Sequence, residues 1–137
     1  MWWIYALLSA LFAALTAIFA KIGIKDVDTN LATAVRTVVV MVLAWTITFL
    51  RGGTSSIALL TKSNILFLVI SGLATGLSWI FYFKALQLGN VSQVAPIDKL
   101  SVVLVVIFSF IFLGEPMNLK TIAGVACITI GTIIIIL

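Results

Sequence analysis

Among the charged side chains within the long apolar runs of this sequence, five draw attention: Lys21, Arg36, Lys84, Asp98 and Lys99. A charge at the centre of a membrane-spanning helix costs about 2.5–3.5 kcal/mol on insertion scales. Such groups therefore face a polar cavity, find a partner, or reach along their own stems to the headgroups. Arg36 offers a permanent positive charge and a planar fork of N–H donors, which suits a carboxylate or a phosphate. Asp98 is the only acid within an apolar run. It is the one carboxylate placed to take up a proton at depth, and equally a structural partner for Arg36 or a nearby lysine. For Lys21 and Lys84, snorkelling and a polar path are both open readings.

Other chemistry lacks its residues. The chain has no histidine and a single cysteine, Cys127, inside the last apolar run. A disulfide within the chain is excluded, and Cys127 reads as a small buried residue. There is no phosphate-binding glycine loop, and no Ser-Lys or Asp-Asp pair at protease spacing. We expect no enzyme activity, no metal and no cofactor.

The elements that must position these residues follow from composition. The chain has 137 residues, 64% hydrophobic and 9% charged, with a mean hydropathy of +1.35. Soluble domains carry roughly 25% charged residues, so the solvent here is lipid. Only helices and closed barrels satisfy their backbone in lipid, and barrel strands alternate polar with apolar residues over about ten positions. This sequence shows unbroken apolar runs instead, over residues 2–24, 31–50, 65–88, 91–113 and 119–137. Each is long enough for a helix to cross ~30 Å. The fold class expected is an all-α integral membrane protein, a bundle of five transmembrane helices in one domain over residues 1–137. The first run begins without Lys or Arg and reads as a retained helix, not a signal. The net charge of +4 sits at helix ends, where it marks topology, so no nucleic-acid partner is expected.

The connections are short. Residues 25–30 carry Asp26, Asp28 and Asn30, all turn or cap residues. Residues 51–64 contain Gly52-Gly53, an expected cap at Ser63 or Asn64, and a stretch at 57–60 that suits a short interfacial turn. Gly89-Asn90 predicts a tight turn built on left-handed angles, and Gly114-Glu115-Pro116 a helix stop.

Small residues form stripes along three helices: Ala6, Ala10, Ala13, Ala17 and Ala20 on the first, Gly72 and Gly76 on the third, Gly124, Cys127 and Gly131 on the fifth. Such stripes let helices approach closely, within a chain or between subunits. A polar stripe of Ser71, Thr75, Ser78 and Tyr82 on the third helix reads as packing or as the lining of a path. Tracing the alternating helix directions places all five charges toward one side of the membrane. Pro96, early in the fourth helix, removes a donor and disfavours helical geometry at Ala95, so carbonyls near Asp98 are expected to be freed.

Several stretches together resemble the EamA domain of the drug/metabolite transporter superfamily. They are Phe83–Ser92, then Val94-Ala95-Pro96-Ile97-Asp98-Lys99-Leu100-Ser101, Phe112-Leu113-Gly114-Glu115, and the spacing of Gly124 and Gly131. Lys21 and Arg36 fit positions where that domain often carries basic residues. The resemblance covers nearly the whole chain. It implies half of an inverted-repeat drug/metabolite transporter fold, similar to the single-domain, five-helix bacterial and archaeal branch. This sequence departs from the common pattern in having Pro96 early and no proline within Leu100–Val106. It also lacks the acidic residue in helix one on which the four-helix small multidrug branch depends.

The function expected is a secondary transporter of small metabolites across the inner membrane, in the direction of export. Arg36, Asp98 and Lys99 are its candidate substrate path, with Lys21, Ser78 and Tyr82 as further members. Two rivals stay open: a non-transporting membrane subunit of a larger complex, and half of a heteromeric flippase for a lipid-linked anionic group. Two copies inserted in opposite orientations would rebuild the inverted pseudo-symmetry. The flanking cations permit this: Arg51, Lys62 and Lys120 on one side against Lys21, Lys25 and Lys84 on the other. The partners expected are a small-molecule substrate, the bilayer, and a second copy in an antiparallel homodimer meeting at Gly124, Cys127 and Gly131.

Overall fold

The computed structural model describes all residues from Met1 to Leu137 and contains helices and their connections. In chain order these are α1 (Trp2–Gly23), α2 (Thr29–Leu50), a 3-10 helix (Gly53–Leu59), α3 (Lys62–Leu88), α4 (Val91–Asp98), α5 (Ser101–Phe108), a wider π-type turn (Ser109–Leu113) and α6 (Leu119–Ile136). Five segments are long and apolar enough to span a membrane, α4 through the π-type turn counting as one of 23 residues. Most large apolar side chains face outward, among them Phe12, Val39, Phe67, Phe110 and Ile134, while the buried apolar set is Ala17, Ile24, Phe83, Leu86 and Val94. That is the reverse of a water-soluble core and fits a lipid surround.

The chain divides into two compact units, Met1–Ile18 with Leu88–Leu137, and Phe19–Gln87. In the first, α4 and α5 pack on α6. In the second, the last turn of α1 and the connection after it lie against the C-terminal part of α3, through the bonds described below. Several threonine hydroxyls within the spans are satisfied by the helix itself. Those of Thr37, Thr48, Thr75, Thr129 and Thr132 donate to carbonyls four residues earlier at 2.8–2.9 Å. Back-bonding of this kind hides a polar group from lipid.

Helix ends differ from the apolar runs in instructive ways. Helix α2 starts at Thr29, two residues before its apolar run, because Asp28 Oδ1 accepts from the amides of Asn30 and Leu31 at 2.9 Å. Helix α3 starts at Lys62, and the capping oxygen is Thr61 Oγ1, 3.2 Å from the Asn64 amide. The expected cap at Ser63 or Asn64 is therefore displaced: these residues lie inside the helix. Apolar runs mark where lipid begins, whereas capping oxygens mark where the helix begins. Asn118 caps α6 through Oδ1 on the Thr121 amide at 2.8 Å.

The turn after α3 also departs from expectation. Asn90 is extended, with φ −75° and ψ 139°, and its carbonyl accepts from Gln93 and Val94. The left-handed residues are instead Asp26, Gly52 and Gly114. The fourth span is not one continuous helix. After Pro96 the amide of Leu100 turns to Ile97 O at 3.0 Å, and Val102 and Val103 likewise bond three residues back. This tighter winding leaves Pro96 O without its usual amide, and Thr132 Oγ1 of α6 stands 3.5 Å from it.

Gly114 has φ +66° with nothing within 4 Å of an added Cβ, whereas Gly72 sits inside α3 with equally open space. Gly114→Ala is expected to cost ~1 kcal/mol through backbone conformation, and Gly72→Ala to be neutral or stabilising by up to ~1 kcal/mol. Unfolding in mixed micelles titrated with sodium dodecyl sulfate measures both; equal losses would mean that the Gly114 turn is not held in this conformation.

Candidate functional site

Within residues 19–87 the candidate groups converge on the C-terminal half of α3. Trp79, Phe83 and Leu86, spaced four and three apart, share one face of the helix. Phe83 and Leu86 are buried and Trp79 is half-buried. Arg36 of α2 lies over this face, its Cζ 4.3 Å from the Trp79 ring centroid and 5.1 Å from that of Phe83. A guanidinium stacked on aromatic rings gains about 0.5–2 kcal/mol, the larger values applying where water is excluded. Stacking uses the flat face of the guanidinium, and its donors point outward in the plane. Arg36 is half-buried, so an apolar span carries a cation steadied by rings.

One turn further along α3, polar bonds join it to the end of α1. Lys21 Nζ donates to the carbonyl of Leu86, which lies in the last turn of α3, where carbonyls lack helical partners. Cations at a helix C-terminus also meet the negative end of its dipole. Gln87 Nε2 donates to Val27 O at 2.9 Å and Ile24 O at 3.4 Å, while its Oε1 lies 3.4 Å from Lys84 Nζ. Lys21, Ile24, Lys25, Asp26 and Gln87 line an open cavity of about 410 Å³.

The expected polar stripe is only partly engaged. Ser71, Thr75 and Ser78 are exposed, Tyr82 is half-buried, and the Tyr82 ring centroid lies 6.4 Å from that of Phe83. The face of α3 that packs is the neighbouring one, Trp79, Phe83 and Leu86.

In the unit formed by residues 1–18 and 88–137, Asp98 and Lys99 pair with each other. Lys99 Nζ lies 3.3 Å from Asp98 Oδ2, with side chains 59% and 36% exposed. Of the two roles open to Asp98, the structure shows it beside a lysine. Both residues stand at the break between α4 and α5. Cys127, expected to be a small buried residue, is exposed on the outward side of α6, as is Gly124; Gly131 is half-buried, and a Cβ added at either glycine would meet nothing within 4 Å.

Trp79, Phe83, Gln87 and Asp26 were not among the candidate substrate-path residues read from the sequence. The signal for the first two was present. Aromatic residues four apart, continued by Leu86 and Gln87, trace a helical face. It was overlooked because an aromatic on an apolar helix carries no periodic contrast. Nothing in the sequence marks Gln87 as the residue that ties down the α1–α2 connection.

The whole chain, residues 1–137, matches the EamA-like transporter family. The chain belongs to that family. It is also 47% identical over 134 residues to a protein of Sinorhizobium sp. described as an uncharacterized transporter in cobO 3'region, a match covering 98% of this chain and 95% of the relative. No solved structure matches it. Membership and the five apolar spans make it a multi-pass membrane protein of a transporter family.

Stacking of Arg36 on Trp79 is open to a double-mutant cycle. Arg36→Gln and Trp79→Leu are expected to show a coupling of ~1 kcal/mol in micelle unfolding. Additive losses would mean that the two side chains do not interact.

Proposed function

We propose that this member of the EamA-like family is a secondary transporter that exports small metabolites across the inner membrane and works as an antiparallel homodimer. The observation that carries the reading is Arg36, a permanent cation half-buried in an apolar span against Trp79 and Phe83. A membrane helix retains such a group at a cost, and a solute carboxylate or phosphate gives it a use. Asp98 and Lys99 stand at a helix break of the type that borders transport sites. In this reading Asp98 handles a proton or a solute cation, and Lys21, Ser78 and Tyr82 extend the path.

The antiparallel arrangement is supported by the five spans, which leave residues 1 and 137 on opposite sides. A copy inserted the other way would supply the inverted half. Gly124, Cys127 and Gly131 present an open small-residue face for close approach of a second α6.

Purified protein in liposomes, screened with amino acids, amines and organic anions, is expected to accumulate at least one class. Arg36→Gln and Asp98→Asn should each reduce flux about tenfold or more, the loss of roughly 1.4 kcal/mol or more of productive interaction. Full flux in both folded variants removes these residues from the path. Flux only when a second, different chain is co-purified favours the heteromeric flippase or the subunit of a larger complex.

For topology, a single cysteine at Ser56, on a Cys127→Ala background, is expected to react with impermeant reagents from both sides of the membrane. Labelling from one side alone means a single orientation, leaving a parallel dimer or a heteromer as the better account.

A further inference from the structure

The connection between α1 and α2 walls the 410 Å³ cavity lined by Lys21, Ile24, Lys25, Asp26 and Gln87, and Arg36 is not among its residues. Its size falls in the range of small-ligand sites, about 300–1,000 Å³. Its walls are fixed by specific bonds. Gln87 holds the carbonyls of Ile24 and Val27, and Lys21 is anchored to Leu86 O at the end of α3. Ile24 is 2% exposed and forms an apolar floor. Lys25 and Asp26 are adjacent and both exposed, yet they form no ion pair with each other. Asp26 holds φ +60°, a left-handed angle that Asp and Asn tolerate better than other side chains.

The charges in this cavity are two ammonium groups and one carboxylate. A simple anion would meet Asp26 as well as the lysines, and a simple cation would meet Lys21 and Lys25. A ligand carrying both signs suits all three, with Lys21 keeping its bond to Leu86 O. The level of the site narrows the choice. It lies where α1 ends and α2 begins, with Phe19, Ile22 and Leu31 exposed nearby and apolar, so it stands at the headgroup zone of a bilayer.

We propose that this cavity binds a phosphoethanolamine group, its phosphate held by Lys21 and Lys25 and its ammonium by Asp26. The group reaches the cavity as the headgroup of phosphatidylethanolamine, whose acyl chains continue along the apolar surface, or as free phosphoethanolamine. Lys21 is the one residue this site shares with the proposed transport path; Arg36 and Asp98 do not enter it, and the variants that test it, at Lys25 and Asp26, lie outside that path.

The test is native mass spectrometry of the purified full chain in detergent, titrated separately with phosphatidylethanolamine, phosphatidylglycerol and free phosphoethanolamine. The expected result is at least fivefold more phosphatidylethanolamine than phosphatidylglycerol bound at equal concentration. Lys25→Gln and Asp26→Asn should each lower that binding at least fivefold. Both variants change exposed side chains, and Asn tolerates the angle at residue 26. Displacement of the lipid by millimolar phosphoethanolamine, or binding of that solute alone, supports the free source; lipid retained against it supports the headgroup. Equal binding of the two lipids overturns the proposal, as does displacement by glycine as effective as by phosphoethanolamine. Unchanged binding in both variants overturns it too, because the preference would then arise elsewhere on the chain.

Discussion

The constraint on which this structure depends is that lipid offers no hydrogen bonds to a peptide group. Every backbone amide and carbonyl in a span must be satisfied by the chain. Helices meet that demand over most of the protein, and threonine hydroxyls turn inward onto carbonyls one turn earlier. The consequence is that any departure from helical bonding needs a local substitute. After Pro96 the chain winds more tightly, and the carbonyl left over finds the Thr132 hydroxyl nearby. A single hydroxyl proton already serves Ile128 at 2.9 Å, so the second contact is the weaker one. A break covered so lightly is a natural place for the fourth span to bend, and Asp98 and Lys99 are located there.

The same constraint explains why α3 organises residues 19–87. Its last carbonyls have no partners within the helix, and Lys21 supplies one from α1. Gln87 works in the opposite sense, donating to carbonyls of the connection that follows α1. Between these polar bonds and the middle of the bilayer lies the aromatic face on which Arg36 rests. Rings are the least costly neighbours for a cation in an apolar span, because they attract it without bringing a charge of their own. Arg36 can thus be retained without a dedicated counter-ion, which is the property a site for an anionic solute needs.

Family membership bears on this geometry in one direction only. Membership in a transporter family accords with charges kept in otherwise apolar helices, since transport calls for polar groups at depth. It does not distinguish among solutes.

Lipid as solvent, the five spans and their approximate limits were legible in the sequence, because the length and apolarity of a run are local properties. The charges worth attention were legible too: an arginine in an apolar run is conspicuous by its type alone. The starts of α2 and α3 were misplaced by two or three residues, since Asp28 and Thr61 extend the helices beyond the apolar runs. The partners of each charge were decided by tertiary structure. Arg36 and Trp79 are forty-three residues apart, and Lys21 and Leu86 sixty-five. No pattern in one helix records which face of another it will meet. Periodicity drew attention to Ser71, Thr75, Ser78 and Tyr82, because polar residues stand out against leucine and valine. Packing selected Trp79, Phe83 and Leu86, whose apolar character is invisible in a helix that is apolar all round.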